Sequence, residues 1–129
     1  AADVPDALPG GSESILLVED DAMVLEFTEL VLRSLGYQVS AAGDGATARK
    51  MLERQGACCD LMLTDVILPD TTGMTLAGEA RQIRPHLKVV FMSAHPASEV
   101  APGGDVEFVA KPFTTQELAA KVRLVLDQS

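Results

Sequence analysis

Two kinds of apolar run alternate along this chain. Some are short and almost continuously apolar: SILLV from Ser14 (read as a strand over 14–19), YQVSAA at 37–42, DLMLTD at 60–65, LKVVFMS at 87–93 and VEFVAK at 106–111. Runs of that length, bounded by turn residues, are the pattern of strands buried on both faces. Between them, apolar residues recur at steps of three and four, which is one face of a helix. From Ala22 the stripe is Val24, Phe27, Val31 and Leu35, with Gly36 as a left-handed stop. GDG at 43–45 turns the chain into a second helix reaching about Arg54, with Ala48, Met51 and Leu52 inward. A loop carrying Pro69 and Gly73 leads to a third helix, striped by Leu76, Ala77, Ala80 and Ile83 and ended by Pro85. In the last helix, Thr114 and Glu117 have the spacing of a capping box, and Leu118, Val122 and Val125 form the buried face.

Strands that alternate with helices predict parallel strands joined by right-handed crossovers. The expected fold is therefore α/β: an open five-stranded parallel sheet, doubly wound, with helices on both faces. Residues 1–13, AADVPDALPGGSE, hold two prolines and two glycines without periodicity and read as a linker or cloned boundary before a single domain at 14–127.

In such sheets ligands bind beyond the carboxyl ends of the strands. The polar residues at those ends are Glu19, Asp20 and Asp21 after strand one, Asp65 after strand three, Ser93 after strand four and Lys111 after strand five. Clustered carboxylates repel unless a cation intervenes, and hard oxygen ligands suit Mg²⁺, which takes one or two carboxylates together with phosphate oxygens. Lys111 and Ser93 supply a point charge and a hydroxyl for a phosphoryl group. Asp65 is then the candidate nucleophile, since carboxylates form aspartyl-phosphates, and phosphoryl transfer needs mainly positioning and charge neutralisation. Asp65 is expected at the tip of its strand rather than deep in the core. Asp21 is expected to cap the first helix, Thr64 and Thr71 to bond local backbone, and Asp70 to serve the turn after Pro69.

Composition narrows the function classes. A net charge of −9 over 129 residues argues against nucleic acid and against direct contact with an anionic membrane, and favours a bound divalent cation. No apolar run approaches the roughly 18 residues of a membrane span. Cys58 and Cys59 are adjacent, which disfavours a disulfide between them, and they are read as small hydrophobes of a reduced, cytoplasmic chain.

VEDD (18–21), TDVILPDTTG (64–73), FMSA (91–94) and FVAKPF (108–113), in that order and on those strand ends, resemble the response-regulator receiver domain of two-component signalling over roughly residues 14–127. The resemblance implies a flavodoxin-like (CheY-like) sandwich with strand order 2-1-3-4-5. It implies Asp65 as phospho-acceptor, with Ser93 and Lys111 completing the reacting set. It implies Mg²⁺, with Mn²⁺ as a substitute, held by Glu19, Asp20, Asp65 and the Ile67 carbonyl. Val66 and Ala94 would line the phosphoryl pocket. Ser93 and Phe108 would form the switch pair, Ile67 and His95 would tune phosphoryl lifetime, and Lys111–Pro112 would be a cis peptide. The donor would be a histidine kinase or a histidine phosphotransfer domain, with homodimerisation a further partnership and the cytoplasm the setting. The domain would be a phospho-acceptor with slow self-dephosphorylation, not a metabolic enzyme.

One departure stands out. AHPASEVAPGGDVEFVA, residues 94–110, carries prolines and glycines where the family has its fourth helix, so that helix is expected short or absent. The leader followed by GSESILLVEDD resembles the junction before the C-terminal receiver of a hybrid sensor histidine kinase, whose membrane-tethered parent would keep the domain on the inner face. The competing readings are a stand-alone regulator and a pseudo-receiver that binds partners without phosphorylation. A haloacid-dehalogenase-like phosphatase would want an acid where Ile67 stands, and a flavodoxin-like cofactor binder would want a glycine- and hydroxyl-rich loop where EDDAMV stands.

Overall fold

The apolar runs pair into one parallel sheet. Its strands are β1 (Ser14–Val18), β2 (Gln38–Ala42), β3 (Leu61–Asp65), β4 (Lys88–Ser93) and β5 (Glu107–Ala110), in the order β2-β1-β3-β4-β5. The computed structural model describes residues 8–55, 59–94 and 107–128. Within these, the helices are α1 (Ala22–Ser34), α2 (Gly45–Gln55), α3 (Gly73–Ile83) and α4 (Thr115–Leu126). The expected fourth helix between β4 and β5 falls mostly on residues 95–106, outside the described residues.

Strand side chains alternate between two cores. Leu16, Val18, Met62, Val89 and Phe91 point to one face, where Ala48 and Leu52 of α2 and Leu76, Ala77 and Ala80 of α3 cover them. Ile15, Leu17, Leu61, Leu63, Val90 and Met92 point to the other, under Val31 and Leu32 of α1 and Leu118, Val122 and Val125 of α4. With both faces covered, every residue of β3 is buried. Cys59 is a free, buried thiol whose Sγ contacts the Leu61 carbonyl at 3.5 Å, as its reading as a small hydrophobe requires; Cys58 lies outside the described residues.

Three helix ends carry the caps expected of them. Asp21 accepts from the Met23 and Val24 amides, Gly36 takes φ of 103°, and Thr114 and Glu117 form a reciprocal capping box. The face of α1 is rotated from the expected stripe. Thr28, Val31 and Leu32 are its buried residues, while Phe27 is 46% exposed and Ile83, at the end of α3, 40%. Thr28 fills the core position because a period of 3.6 leaves Phe27 on the flank, where its ring meets Phe113 with 6.5 Å between centroids.

The leader is joined to the domain before Ser14. Gly11 N–H donates to the Leu35 carbonyl at 3.2 Å and Gln38 N–H to the Glu13 carbonyl at 3.0 Å. Arg123 of α4 donates to the Gly10 carbonyl at 3.1 Å and pairs with Glu13 at 2.7 Å. A Cβ at Gly10 would collide with the Leu35 carbonyl, so glycine permits this approach.

Candidate functional site

The ends of β1, β3 and β4 and the residue following β5 meet at one rim of the sheet. Main-chain bonds carry the parallel ladder one step past the strands: Glu19 N–H to the Ala42 carbonyl at 3.0 Å, Val66 N–H to Met92 at 3.2 Å, and Lys111 N–H to Ser93 at 2.8 Å. The side chains at the rim therefore stand on sheet backbone, not on free loops. The Lys111–Pro112 peptide is cis.

Lys111 Nζ lies 2.7 Å from Glu19 Oε1 and 2.6 Å from Asp65 Oδ1. Glu19 is 1% exposed and Asp65 5%, whereas Asp20 beside them is exposed. Asp65 is the last residue of β3, as expected, but the expectation that it would not lie deep in the protein is corrected here. Asp65 is buried, and Lys111 beside it supplies the counter-charge that burial requires.

One lysine does not neutralise two buried carboxylates. Burial, followed by the hydrogen bond and charge of Glu19, pushes the Asp65 carboxyl up to about 8 against the pull of Lys111. Burial also works to raise Glu19, but hydrogen bonds from Asp65, Lys111 and the Asp21 amide outweigh it and hold Glu19 below its usual range. Burial works to lower Lys111, and the two acids overcome it, so the ammonium is held more firmly. Of the two buried acids, Asp65 is therefore the one held toward its neutral form.

Carboxylate oxygens of Glu19, Asp20 and Asp65 lie within 4.8 Å of one another. The donor set fits a hard divalent cation, which would offset the repulsion among these acids and favour the ionised form of Asp65. Beside the acids is a cavity of about 170 Å³ lined by Asp20, Asp65, Val66, Ile67, Met92, Ser93, Ala94 and Lys111. That is about five to six water volumes, room for a hydrated ion or a phosphoryl group. It falls below the range of about 300 Å³ and upward for sites taking drug-sized molecules, which argues against a flavin or nucleotide.

The loop after β3 forms one wall. It is a tight turn closed by Leu68 N–H to the Thr71 carbonyl at 3.0 Å, by an antiparallel bridge between Ile67 and Thr72, and by Gly73 N–H to the Val66 carbonyl at 2.6 Å. Gly73 is required here: a Cβ would collide with the Asp65 carbonyl oxygen and stand 3.2 Å from the Val66 Cα. Thr64 Oγ1 donates to the Asp65 carbonyl at 3.0 Å, the local role expected of it.

Most of the sequence-derived site is brought together: Glu19, Asp20, Asp65, Val66, Ile67, Ser93, Ala94 and Lys111 share the rim. Phe108 is not among them. It is 38% exposed and lines a separate depression with Pro112, Lys121 and Leu124. His95 lies outside the described residues. Asp70 does more than serve its turn, because both of its oxygens accept from the N-terminus of α2, 2.9 Å from the Gly45 amide and 2.9 Å from the Ala46 amide. No sequence signal marks a contact across 25 residues. Beside the site, Met23, Val24, Phe27, Ala94, Lys111, Pro112 and Phe113 line an apolar depression of about 460 Å³.

Comparison with known proteins agrees with this geometry. A family model described as "Response regulator receiver domain" matches residues 15–123. The chain is 33% identical over 122 residues to Sensor kinase CckA of Brucella abortus, covering 92% of this chain but 13% of that protein. It is 32% identical over 116 residues to the response regulator receiver protein CpdR of the same organism, covering 87% of this chain and 95% of the relative. Other curated relatives are spanned only in part, TcrX of Mycobacterium tuberculosis over 51% of its length. Among solved structures, the receiver domain of the hybrid histidine kinase CckA superposes with a TM-score of 0.78 at 33% identity, covering 88% of this chain and 99% of that one.

Proposed function

This chain belongs to the response regulator receiver domain family of two-component signalling, and we propose that it accepts a phosphoryl group on Asp65 from a phosphohistidine. The observation that carries this is a carboxylate, 5% exposed, at the edge of a phosphoryl-sized cavity with a lysine 2.6 Å away and two further acids beside it. In the transfer, an Asp65 oxygen forms a bond to phosphorus as the bond from phosphorus to the donor's imidazole nitrogen breaks. The imidazole keeps that electron pair, and its proton balance is met from solvent. Glu19, Asp20, Asp65 and the Ile67 carbonyl would hold Mg²⁺ or Mn²⁺, which supplies charge neutralisation on the phosphoryl oxygens. Lys111 offers its ammonium to a phosphoryl oxygen, and Ser93 and the small Ala94 border the space the group enters.

The donor is a histidine kinase or a histidine phosphotransfer domain, and the setting is cytoplasmic. The acidic surface supports a protein partner over nucleic acid or membrane. Switching acts through packing of Phe108, and Ile67 with His95 sets the lifetime. A hybrid histidine kinase as parent is supported by the likeness to the CckA receiver. The stand-alone reading is supported by the match over 95% of CpdR.

Acetyl phosphate with Mg²⁺, followed by intact mass, tests the acceptor role. One phosphoryl group should add to the unaltered chain and none to Asp65→Asn. No addition to either, together with no beryllofluoride binding, overturns the proposal in favour of a pseudo-receiver.

A further inference from the structure

The wall of the cavity that carries Ile67 has little to hold it in place from its own side chains. Ile67 is 61% exposed, and Pro69 and Thr72 on either side of the turn face solvent. Two anchors remain. Leu68 is buried in the core beneath α2 and α3, and Asp70 grips the first two amides of α2 with its two carboxylate oxygens, each at 2.9 Å. The helix is shaped for this grip. A Cβ on Gly45 would collide with Cγ2 of Thr71 and stand 3.2 Å from Asp70 Oδ1, so glycine at the start of α2 lets the turn sit directly against it. The free amides at a helix N-terminus favour a carboxylate.

Capping alone does not account for the arrangement, because α2 already has a local cap. Asp44 Oδ1 accepts from the Thr47 amide at 2.7 Å. Asp70 therefore ties the turn after β3 to the start of α2, away from the Arg49–Glu79 ion pair that joins α2 to α3 farther along. The side of the tie that bears on the site is Ile67, two residues past Asp65 and bridged to Thr72 across the turn. Asp70 lies three residues after Ile67 in the same turn, so the clasp on α2 and the cavity wall are parts of one short segment.

We infer that Asp70 is a positioning residue for divalent-cation binding, holding the Ile67 carbonyl at the cavity through its clasp on the Gly45 and Ala46 amides. The inference rests on the metal-dependent reading above. Groups that orient a metal ligand without touching the metal change affinity by about 10–100-fold when removed, and a main-chain ligand on a short turn belongs at the lower end of that range.

The test is a titration of MgCl₂ followed by amide NMR shifts on the unaltered chain, Asp70→Ala, Asp70→Asn and Asp44→Ala. Asp70→Ala should weaken Mg²⁺ about tenfold, with the largest change in metal-free spectra at Ile67, Leu68 and the Gly45 and Ala46 amides. Asp70→Asn keeps one acceptor oxygen and should fall between the two, which also serves if the alanine variant does not fold. Asp44→Ala removes a cap from the same helix and should leave Mg²⁺ affinity within about twofold of the unaltered chain. Equal Mg²⁺ affinity in the unaltered chain and both Asp70 variants overturns the inference, as does an equal loss in Asp44→Ala. Failure of the unaltered chain to bind Mg²⁺ removes the metal-dependent reading itself, and this inference with it.

Discussion

Replacing Asp65 by Asn should make the metal-free domain more stable, and increasingly so as pH rises. In the folded chain the carboxyl is held up to about 8 by burial and by Glu19, against 3.8 for the free group. A folded pKa above the unfolded one means the folded state binds the proton more tightly. The stabilisation is complete below 3.8 and is lost as pH climbs toward 8. At pH 7 about three pH units of that window have been crossed, at about 1.36 kcal/mol each. The limit is about 4 kcal/mol, and relaxation and water access around the rim reduce it to an expected 2–4 kcal/mol, roughly. Asparagine reproduces the neutral acid in shape and carries no charge at any pH. Urea unfolding in EDTA at pH 5, 7 and 8.5 measures the difference. Far-UV circular dichroism is the probe, because the chain has no Trp and a single Tyr. The gain at pH 5 should be a little over a third of that at pH 7, and it should level off above about 8. Mg²⁺ should narrow it by stabilising only the unaltered chain. A variant no more stable than the parent at pH 7 and 8.5, or a gain that does not depend on pH, would refute the picture of two buried acids sharing one lysine.

The remaining predictions concern the loop after β3. Gly73→Ala places a methyl against the Asp65 carbonyl and the Val66 main chain, none of which can turn aside, so urea unfolding should show a loss of about 2 kcal/mol or more. A loss under about 0.5 kcal/mol, typical of an ordinary surface site, would mean the loop is not held against β3 as described. Ile67, 61% exposed on the cavity wall, offers no hydrogen bond to attacking water. Ile67→Asn should shorten the aspartyl-phosphate half-life about fivefold, the effect of one hydrogen bond worth about 1 kcal/mol in the transition state. Loss of label after removal of acetyl phosphate measures it, and an unchanged half-life would count against a shielding role.

Local signals carried a large part of this molecule. The continuous apolar runs specified strands covered on both faces, and their alternation with helical stripes specified a parallel, doubly wound sheet. The rule that ligands sit beyond the strand ends then picked out Glu19, Asp20, Asp21, Asp65, Ser93 and Lys111 from the sequence alone. Caps at Asp21, Gly36 and Thr114 were legible for the same reason: each depends on residues within a few positions of itself.

Tertiary structure decided what depends on distant parts of the chain. The phase of α1 was set by the sheet it covers, which took Thr28 into the core and left Phe27 on the flank. The burial of Asp65 came from its place in the folded sheet, and its raised pKa from that burial and from Glu19, against the pull of Lys111. Asp70 passed for a turn residue until α2 supplied its partners, and Gly73 for a loop glycine until the Asp65 carbonyl was seen beside it. The physical reason is common to all four. Periodicity and capping are short-range and written in neighbouring residues, whereas desolvation, charge pairing and close approach depend on which segments the fold brings within a few ångströms of each other.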